Sequence, residues 1–364
     1  PDERIGYGVH AINLANGLLK NSENKMTNTL VTDPRNSLLL NKNLEIINKH
    51  YKEYTIVNVH LTDGGDQSLI KSSLPGYKVI YTVFESNVLP IGWKENLEKF
   101  DLVITASNWG KIVLLNELDI DNVTVVPEGV DPSIYNINGR DIYNNKKDIF
   151  KFLMIGKYEI RKSYEESIKA FLDAFDANEK CQLLLKPDNY FAKNVHEIVD
   201  NFIPNDRKHQ VLIISKNNKN QYISKIEMSN LYKSCHCFVF PSKGEGWGLP
   251  LIEAISCGTP FIATNYSGHS HFLKSCRQDY SDVKFRTEII KHNDYFRYNK
   301  FKSGSDPLWA IPDIKSLSSN MLSIKSNWDS VYYQALKNSK KIQNEFSWSS
   351  SAEKFEDEII KFFN

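Results

Sequence analysis

The sequence predicts an α/β protein made of two Rossmann-like domains, each with a doubly wound parallel sheet. Short apolar runs alternate with amphipathic segments along most of the chain, and buried parallel strands typically read as continuous apolar runs. Segments 166–175 and 225–234 have the helical period. The runs that predict strands are 55–60, 78–84, 101–106, 123–126, 151–156, 182–186, 211–215, 236–240 and 260–264.

The domain borders follow from length and from breaks in this alternation. A chain of 364 residues suits two domains of ordinary size. The polar, Asn-rich run 132–147 predicts a linker, which gives an N-terminal domain over 1–143 and a C-terminal domain over 144–345. Region 277–312 predicts loops. The tail 346–364 begins with serines and continues as an amphipathic helix.

Composition excludes several classes of protein. Lys and Arg number 45 and Asp and Glu 44, so the net charge of +1 gives no basic field for nucleic acid. No apolar run reaches the ~20 residues of a membrane span, and the N-terminus does not resemble a signal peptide. The five cysteines lack the spacing of a disulfide framework or a zinc site. They predict buried thiols in a reducing, cytoplasmic setting, with Cys235-His236-Cys237 as the weaker metal-site alternative.

The most informative segment is PSKGEGWGLPLIEAISCGTPFIATNYSG, residues 241–268. Glu245 and Glu253 lie eight positions apart, and the turn Gly246, Trp247, Gly248 followed by Leu249 lies between them, at the start of an apolar stretch. An apolar strand precedes the turn and a helical stretch follows it. Backbone N–H groups and the helix dipole therefore meet at one point, which suits a phosphate group.

This segment resembles the signature of retaining, nucleotide-sugar-dependent glycosyltransferases of family 4, which have the GT-B fold with two domains facing across a cleft. The resemblance implies that Glu245 binds the donor sugar and Glu253 the ribose. It also implies that the backbone of Gly246, Trp247, Gly248 and Leu249 contacts sugar and phosphate. In such proteins the final helix usually crosses back onto the first domain, which is what we expect of 346–364.

A second segment, IGKYEIRKSYEESIKAF over 155–171, resembles the phosphate-binding turn of that family. Lys157, Arg161 and Lys162 are candidate cations for the leaving diphosphate. The match gives Lys157 the position of the family's arginine and Lys162 that of its lysine, whereas Ser163 replaces the usual glycine. Lys157, Lys162 and Glu245 are therefore the predicted catalytic residues.

The resemblance implies that the first domain holds the acceptor. Glu85 stands near the position where many relatives have a histidine, and it either orients an acceptor hydroxyl or caps a loop. His60 ends a strand and is either a ligand or a core residue. Gly6 and Gly8 lie in what looks like the family's first strand-to-helix loop, where Gly6 would face the acceptor and Gly8 the donor. Only five residues precede that loop, and whether its strand lies upstream of Pro1 is left open.

The resemblance implies transfer of a sugar from a UDP- or GDP-sugar to a hydroxyl of a glycan, a glycolipid or a similar acceptor. No metal and no cofactor is expected, and Asp119-Ile-Asp121 lies in a turn that does not suit a metal site. Peripheral association with the inner face of a membrane is left open, and so is the oligomeric state. The alternative predictions are that the chain is an epimerase or hydrolase of nucleotide sugars with the same fold, or that it is a non-catalytic partner subunit. His269 and His271 either approach the nucleotide or lie in a surface loop.

Overall fold

A computed structural model describes residues 6–21, 57–61, 64, 76–140, 149–188, 194–214, 223–276, 278–290, 301 and 305–363. The chain divides into two compact units. Unit 1 comprises Pro1–Phe84, Ile91–Gly129 and Phe346–Asn364, and unit 2 comprises Glu85–Pro90 and Val130–Glu345. The border between 143 and 144 stays a prediction.

The described residues form the following elements in chain order. The helices are α1 (Gly6–Asn21), α2 (Trp93–Leu97), α3 (Asn108–Glu117), α4 (Tyr164–Ala174), α5 (Val195–Asp200), α6 (Lys225–Lys233), α7 (Leu249–Ser256), α8 (Ser270–Leu273), α9 (Ile314–Ser326), α10 (Trp328–Glu345) and α11 (Trp348–Phe363). The strands are β1 (Val57–Leu61), β2 (Tyr77–Tyr81), β3 (Leu102–Thr105), β4 (Val123–Val125), β5 (Phe150–Lys157), β6 (Cys181–Asp188), β7 (Val211–Ile213), β8 (Cys237–Phe240), β9 (Phe261–Thr264), β10 (Asp282–Val283), β11 (Phe285–Ile289) and β12 (Leu308–Pro312).

Unit 1 contains a parallel sheet with the strand order β1-β2-β3-β4. The C-terminal helix α11 packs on α1 in this unit. Their backbones come so close that a Cβ atom at Gly17 would lie 2.8 Å from Cβ of Ala352. Glycine at position 17 therefore permits the contact between the two helices.

Unit 2 contains a parallel sheet with the strand order β10-β9-β8-β5-β6-β7. From β5 the chain first builds outward through β6 and β7, and then returns to add β8, β9 and β10 on the other side. This is the doubly wound order that the sequence predicts. The β5 side chains Phe152, Leu153 and Met154 are buried, as expected for a strand covered on both faces.

All nine predicted strands are present, and α4 and α6 confirm the two predicted helices. The expectation of loops over 277–312 is wrong in part, because this region contains β10 and the antiparallel pair β11 and β12. Every residue of β11 is exposed, so that strand has no apolar run to reveal it. All five cysteines are free and four are buried, which confirms the prediction of buried thiols.

The polar run after residue 131 does not behave as a solvated linker in its described part, 132–140. Arg140 Nη1 donates to Thr259 Oγ1 at 2.8 Å, and Ser229 Oγ donates to the Ile134 carbonyl at 2.7 Å. These hydrogen bonds hold the run on unit 2. Residues 141–147 lie outside the described part of the chain.

Candidate active site

The candidate site lies at the carboxyl ends of β5 and β8 in unit 2. These strands are neighbours, paired through Phe152 and Cys237, and the strand order reverses between them. Ligands of open α/β sheets bind outside the carboxyl ends of the strands at such a reversal. The two segments that the sequence singled out, 155–171 and 241–268, both leave the sheet at this point.

The loop after β8 is held in one conformation by backbone contacts. The amide of Glu245 donates to Ser267 Oγ at 2.8 Å, and the amide of Gly268 donates to the Glu245 carbonyl at 2.9 Å. A Cβ atom at Gly268 would lie 1.9 Å from the carbonyl oxygen of Gly246, so only glycine fits. Gly248, the residue before α7, has a φ of +98°. This left-handed backbone conformation is one that glycine adopts more readily than other residues.

Glu245 is buried, and its carboxylate is the centre of the site. Its Oε1 lies 2.5 Å from Lys162 Nζ and accepts a hydrogen bond from Ser242 Oγ at 2.5 Å. Its Oε2 lies 2.9 Å from Arg161 Nη1. Two cations and a hydroxyl thus converge on one carboxylate.

These contacts fix the charge of the group. Burial raises the pKa of Glu245, but Arg161 and Lys162, with hydrogen bonds from Lys162 and Ser242, outweigh burial and lower the pKa to about 2. Burial and then Arg161 lower the pKa of Lys162, while Glu245 counteracts both. Because three donors meet on the carboxylate, Glu245 is an anion at neutral pH.

Arg161 connects this pair to two further carboxylates. Its Nη1 donates to the Gly244 carbonyl at 2.9 Å, and its Nη2 lies 3.0 Å from Glu159 Oε2 and 3.5 Å from Glu85 Oε1. Glu159 Oε1 in turn lies 2.6 Å from Lys157 Nζ. The structure therefore brings Lys157, Lys162, Glu245 and Glu85 into one charged network through Arg161 and Glu159.

The sequence assigned no role to two members of this network, Glu159 and Ser242, and named Arg161 only as a candidate cation. The available signal was the alternation of Lys157, Glu159 and Arg161, in which opposite charges stand two residues apart. The motif match pointed instead to the positions of the family's arginine and lysine, so it left Arg161 unassigned.

Glu253 has a separate environment, formed with tyrosines. Tyr232 of α6 donates its hydroxyl to Glu253 Oε2 at 2.9 Å. Burial raises the pKa of Glu253 to about 7, against hydrogen bonds from Tyr232 and Tyr135 that lower it. This carboxyl is therefore near its titration point at neutral pH, unlike Glu245.

Other predicted residues differ in detail from expectation. The structure groups Glu85 with unit 2, not with the first domain, and Trp309 Nε1 donates to its backbone carbonyl at 2.9 Å. The ring of Trp247 is buried against His271 and Phe272, with ring centroids 5.7 and 5.1 Å away. Leu249 is the first residue of α7.

The predicted residues of unit 1 lie in regular elements. Gly6 and Gly8 lie in the first turns of α1, so the expected strand-to-helix loop at this point is wrong. His60 lies in β1 opposite Ile80, and its side chain is outside the described part of the structure.

His269 is fully buried, so a surface-loop position for it is wrong. Its Nε2 lies 2.5 Å from the Thr264 carbonyl, and burial lowers its pKa to about 4, which leaves the ring neutral. Asp119 of the Asp-x-Asp sequence pairs with Lys94 at 2.8 Å. Within the described ranges, no three His, Cys, Asp or Glu side chains gather as metal ligands, and no helix is long and apolar enough to cross a membrane.

Comparison with known proteins finds a family match over the part of the chain that contains this site. Residues 138–278 match the family model described as glycosyl transferases group 1, a segment that includes Lys157, Lys162, Glu245 and Glu253. One relative is the UDP-Gal:alpha-D-GlcNAc-diphosphoundecaprenol alpha-1,3-galactosyltransferase of Escherichia coli. It is 26% identical over 250 residues, which cover 62% of this chain and 61% of the relative. The chain thus spans about three fifths of the length of that relative.

Two solved structures show the fold. The sucrose-phosphate synthase of Thermosynechococcus elongatus has a TM-score of 0.62 at 16% identity, covering 85% of this chain and 73% of that one. HepE of Anabaena, solved in complex with UDP and glucose, has a TM-score of 0.58 at 13% identity, covering 79% and 72%. The fold of this chain is therefore the GT-B fold of these two proteins.

Proposed function

We propose that this chain is a retaining glycosyltransferase that moves a sugar from a UDP- or GDP-sugar to a hydroxyl of a glycan or lipid-linked acceptor. The observation that carries the proposal is the anionic Glu245 held between Arg161 and Lys162 at the strand-order reversal of unit 2. Glycosyl transferases group 1 is the family whose model covers these residues.

The cations of the network suit the leaving group. Departure of a nucleoside diphosphate places negative charge on its terminal phosphate, and preorganised positive groups stabilise that charge. Lys157, Arg161 and Lys162 supply three such groups in unit 2. On this basis we propose that transfer needs neither a metal ion nor a cofactor.

Glu245 suits a role in holding the donor sugar. Oε1 accepts two hydrogen bonds and Oε2 lies against one donor, Arg161, so a lone pair of Oε2 is left to accept from a sugar hydroxyl. A carboxylate with a pKa of about 2 is a weak base and a weak nucleophile. We therefore favour front-face substitution, in which an oxygen of the leaving phosphate takes the proton of the acceptor.

Two further roles complete the proposal. Glu253 would accept hydrogen bonds from the ribose, with Tyr232 fixing the orientation of its carboxyl group. Glu85 pairs with Arg161, which favours a supporting role for Glu85 over direct contact with the acceptor. The acceptor roles predicted for Gly6 and His60, and the donor role of Gly8, stay predictions.

The test is a transfer assay with product analysis. The name of the E. coli relative supplies the first pair, UDP-Gal and α-D-GlcNAc-diphosphoundecaprenol, followed by other UDP- and GDP-sugars. We expect a product whose anomeric configuration by NMR equals that of the donor, with or without EDTA. An inverted product, or loss of activity in EDTA, would contradict the proposal. Full conversion of a donor without any acceptor would instead identify an epimerase or hydrolase.

A further inference from the structure

The charged network of unit 2 balances its charges within the protein. Its cations are Lys157, Arg161 and Lys162, and its carboxylates are Glu85, Glu159 and Glu245. Each carboxylate lies within 3.5 Å of at least one of the cations. A diphosphate that binds here therefore meets cations already paired with protein anions.

Glu159 bridges two cations of this network, and its own side chain is 15% exposed. One of its oxygens lies 2.6 Å from Lys157 and the other 3.0 Å from Arg161, so a single carboxylate bridges two cations. A phosphate group presents oxygens that can bridge two cations in the same way. The Lys157 side chain is 33% exposed, against 12% for Arg161 and 7% for Lys162.

The position of Glu159 allows its side chain to leave. The residue precedes the 3-10 turn Ile160–Lys162 in extended backbone, with φ −148° and ψ 150°, and its side chain makes no capping hydrogen bond to that turn. Its carboxylate is ionised, since Arg161 and Lys157 lower its pKa below the ordinary value although burial raises it. Rotation of this one side chain would therefore withdraw a carboxylate from both cations.

We propose that Glu159 is an internal competitor of the donor, whose carboxylate occupies Lys157 and Arg161 until the diphosphate of the nucleotide sugar displaces it. This inference rests on the proposed function. It makes Glu159 a residue that weakens donor binding and also speeds release of the nucleoside diphosphate after transfer, because it recaptures the cations.

Removing the charge of Glu159 should therefore raise the affinity of the site for a phosphate group. Removing most ion-pair partners weakens a site, but removing the charge of Glu159 makes the network one unit more positive, because three cations then face two carboxylates. The attraction between that charge and a phosphate at contact distance is partly screened at this exposure, and we expect about a tenfold gain in affinity. A residue that merely holds Arg161 in place would give the opposite result.

The experiment is calorimetric titration of the whole chain with UDP and with GDP. Glu159→Gln should bind the nucleotide of the donor about tenfold more tightly than wild type, and its affinity should fall more steeply with added NaCl. Glu159→Asp keeps the charge and should not bind more tightly. Glu165→Gln is the matched control, because Glu165 is an exposed acid at the start of α4.

Enzyme kinetics give a second readout. The donor KM of Glu159→Gln should fall while kcat does not rise, because product release becomes slower. If wild type transfers sugar and binds the nucleotide, but Glu159→Gln binds no more tightly, only this inference is overturned. If wild type neither binds a nucleotide nor transfers a sugar, the proposed function is overturned and this inference with it.

Discussion

Replacing Lys162 with methionine isolates the charge at the centre of the site. The Lys162 stem passes over Gly156, where a Cβ atom would lie 3.6 Å from it, and Nζ lies 5.1 Å from the ring centroid of Phe240. Methionine has a similar length and keeps the packing of the stem over Gly156, although the cation–π contact with Phe240 is lost. The variant therefore removes the cation 2.5 Å from Glu245 while leaving the packing in place.

The magnitude follows from the partners that remain. Breaking a buried ion pair by removing one partner costs ~3–5 kcal/mol, because the other charge stays buried. Arg161 and Ser242 still contact the Glu245 carboxylate in this variant, so we expect the lower end, about 3 kcal/mol. Sugar transfer should also fall sharply, since the leaving phosphate loses a cation.

The dependence on pH separates charge from packing. The folded-state pKa of Glu245 is about 2, below its ordinary 4.5, so its contribution to stability is complete above pH 4.5 and is lost as pH falls toward 2. In Lys162→Met this contribution is smaller. The difference in unfolding free energy between wild type and variant should therefore be largest at neutral pH and shrink below pH 4.5.

Urea unfolding followed by tryptophan fluorescence, at several pH values, measures this difference. Lys169→Met is the matched control, because Lys169 is exposed on α4, and it should change stability by less than about 0.5 kcal/mol. A loss in Lys162→Met that equals the control, or that is the same at every pH, would refute the reasoning.

Four further substitutions test other parts of the site. Glu253→Gln should remove a pH dependence of the free energy of unfolding. Because burial raises the pKa of Glu253 from 4.5 to about 7, the wild-type protein loses up to about 3 kcal/mol of stability as pH rises through that interval. Thermal melts of the two proteins at several pH values will show whether the difference in their stability depends on pH. Ser163→Gly should stabilise by about 0.5–1 kcal/mol, because Ser163 has a φ of +62° and a buried hydroxyl without a partner in the described structure. Ser267 also has a positive φ, +64°, but Ser267→Gly should lower the stability of the protein in the same melts, because Ser267 Oγ accepts a hydrogen bond from the Glu245 amide. Equal effects of the two substitutions by glycine would contradict this account. Gly268→Ala should lower the melting temperature by several degrees and abolish transfer, because its Cβ would overlap the Gly246 carbonyl; a variant as stable as wild type would show that the loop can shift.

Much of the fold could be predicted because local sequence determines it. Buried parallel strands such as β5 and β8 carry continuous apolar runs, and the turn after β8 is marked by glycines. The strand β11 could not be predicted, because its residues are exposed and it forms only through pairing with β12, nineteen positions further on (Ile289 opposite Leu308). Strands of that kind depend on a distant partner.

The candidate site, like the fold, could be predicted only in part from the sequence. Glu245 and Lys162 could be identified from motifs, and the structure places them in contact. The bridging of Lys157 and Arg161 by Glu159, and the ion pair of Arg161 with Glu85, depend on side-chain directions in a turn without regular period. Spacing along the sequence does not specify such directions, so these partners were missed.

The most direct test of the central claim is sugar transfer by Glu245→Gln beside Glu165→Gln. Both changes replace one carboxylate by an amide, but Glu245 is buried between two cations and Glu165 is exposed on α4. The account predicts that Glu245→Gln stays folded and loses at least about a hundredfold in kcat/KM, while Glu165→Gln matches wild type. Transfer by Glu245→Gln within about twofold of wild type would contradict the assignment of the site.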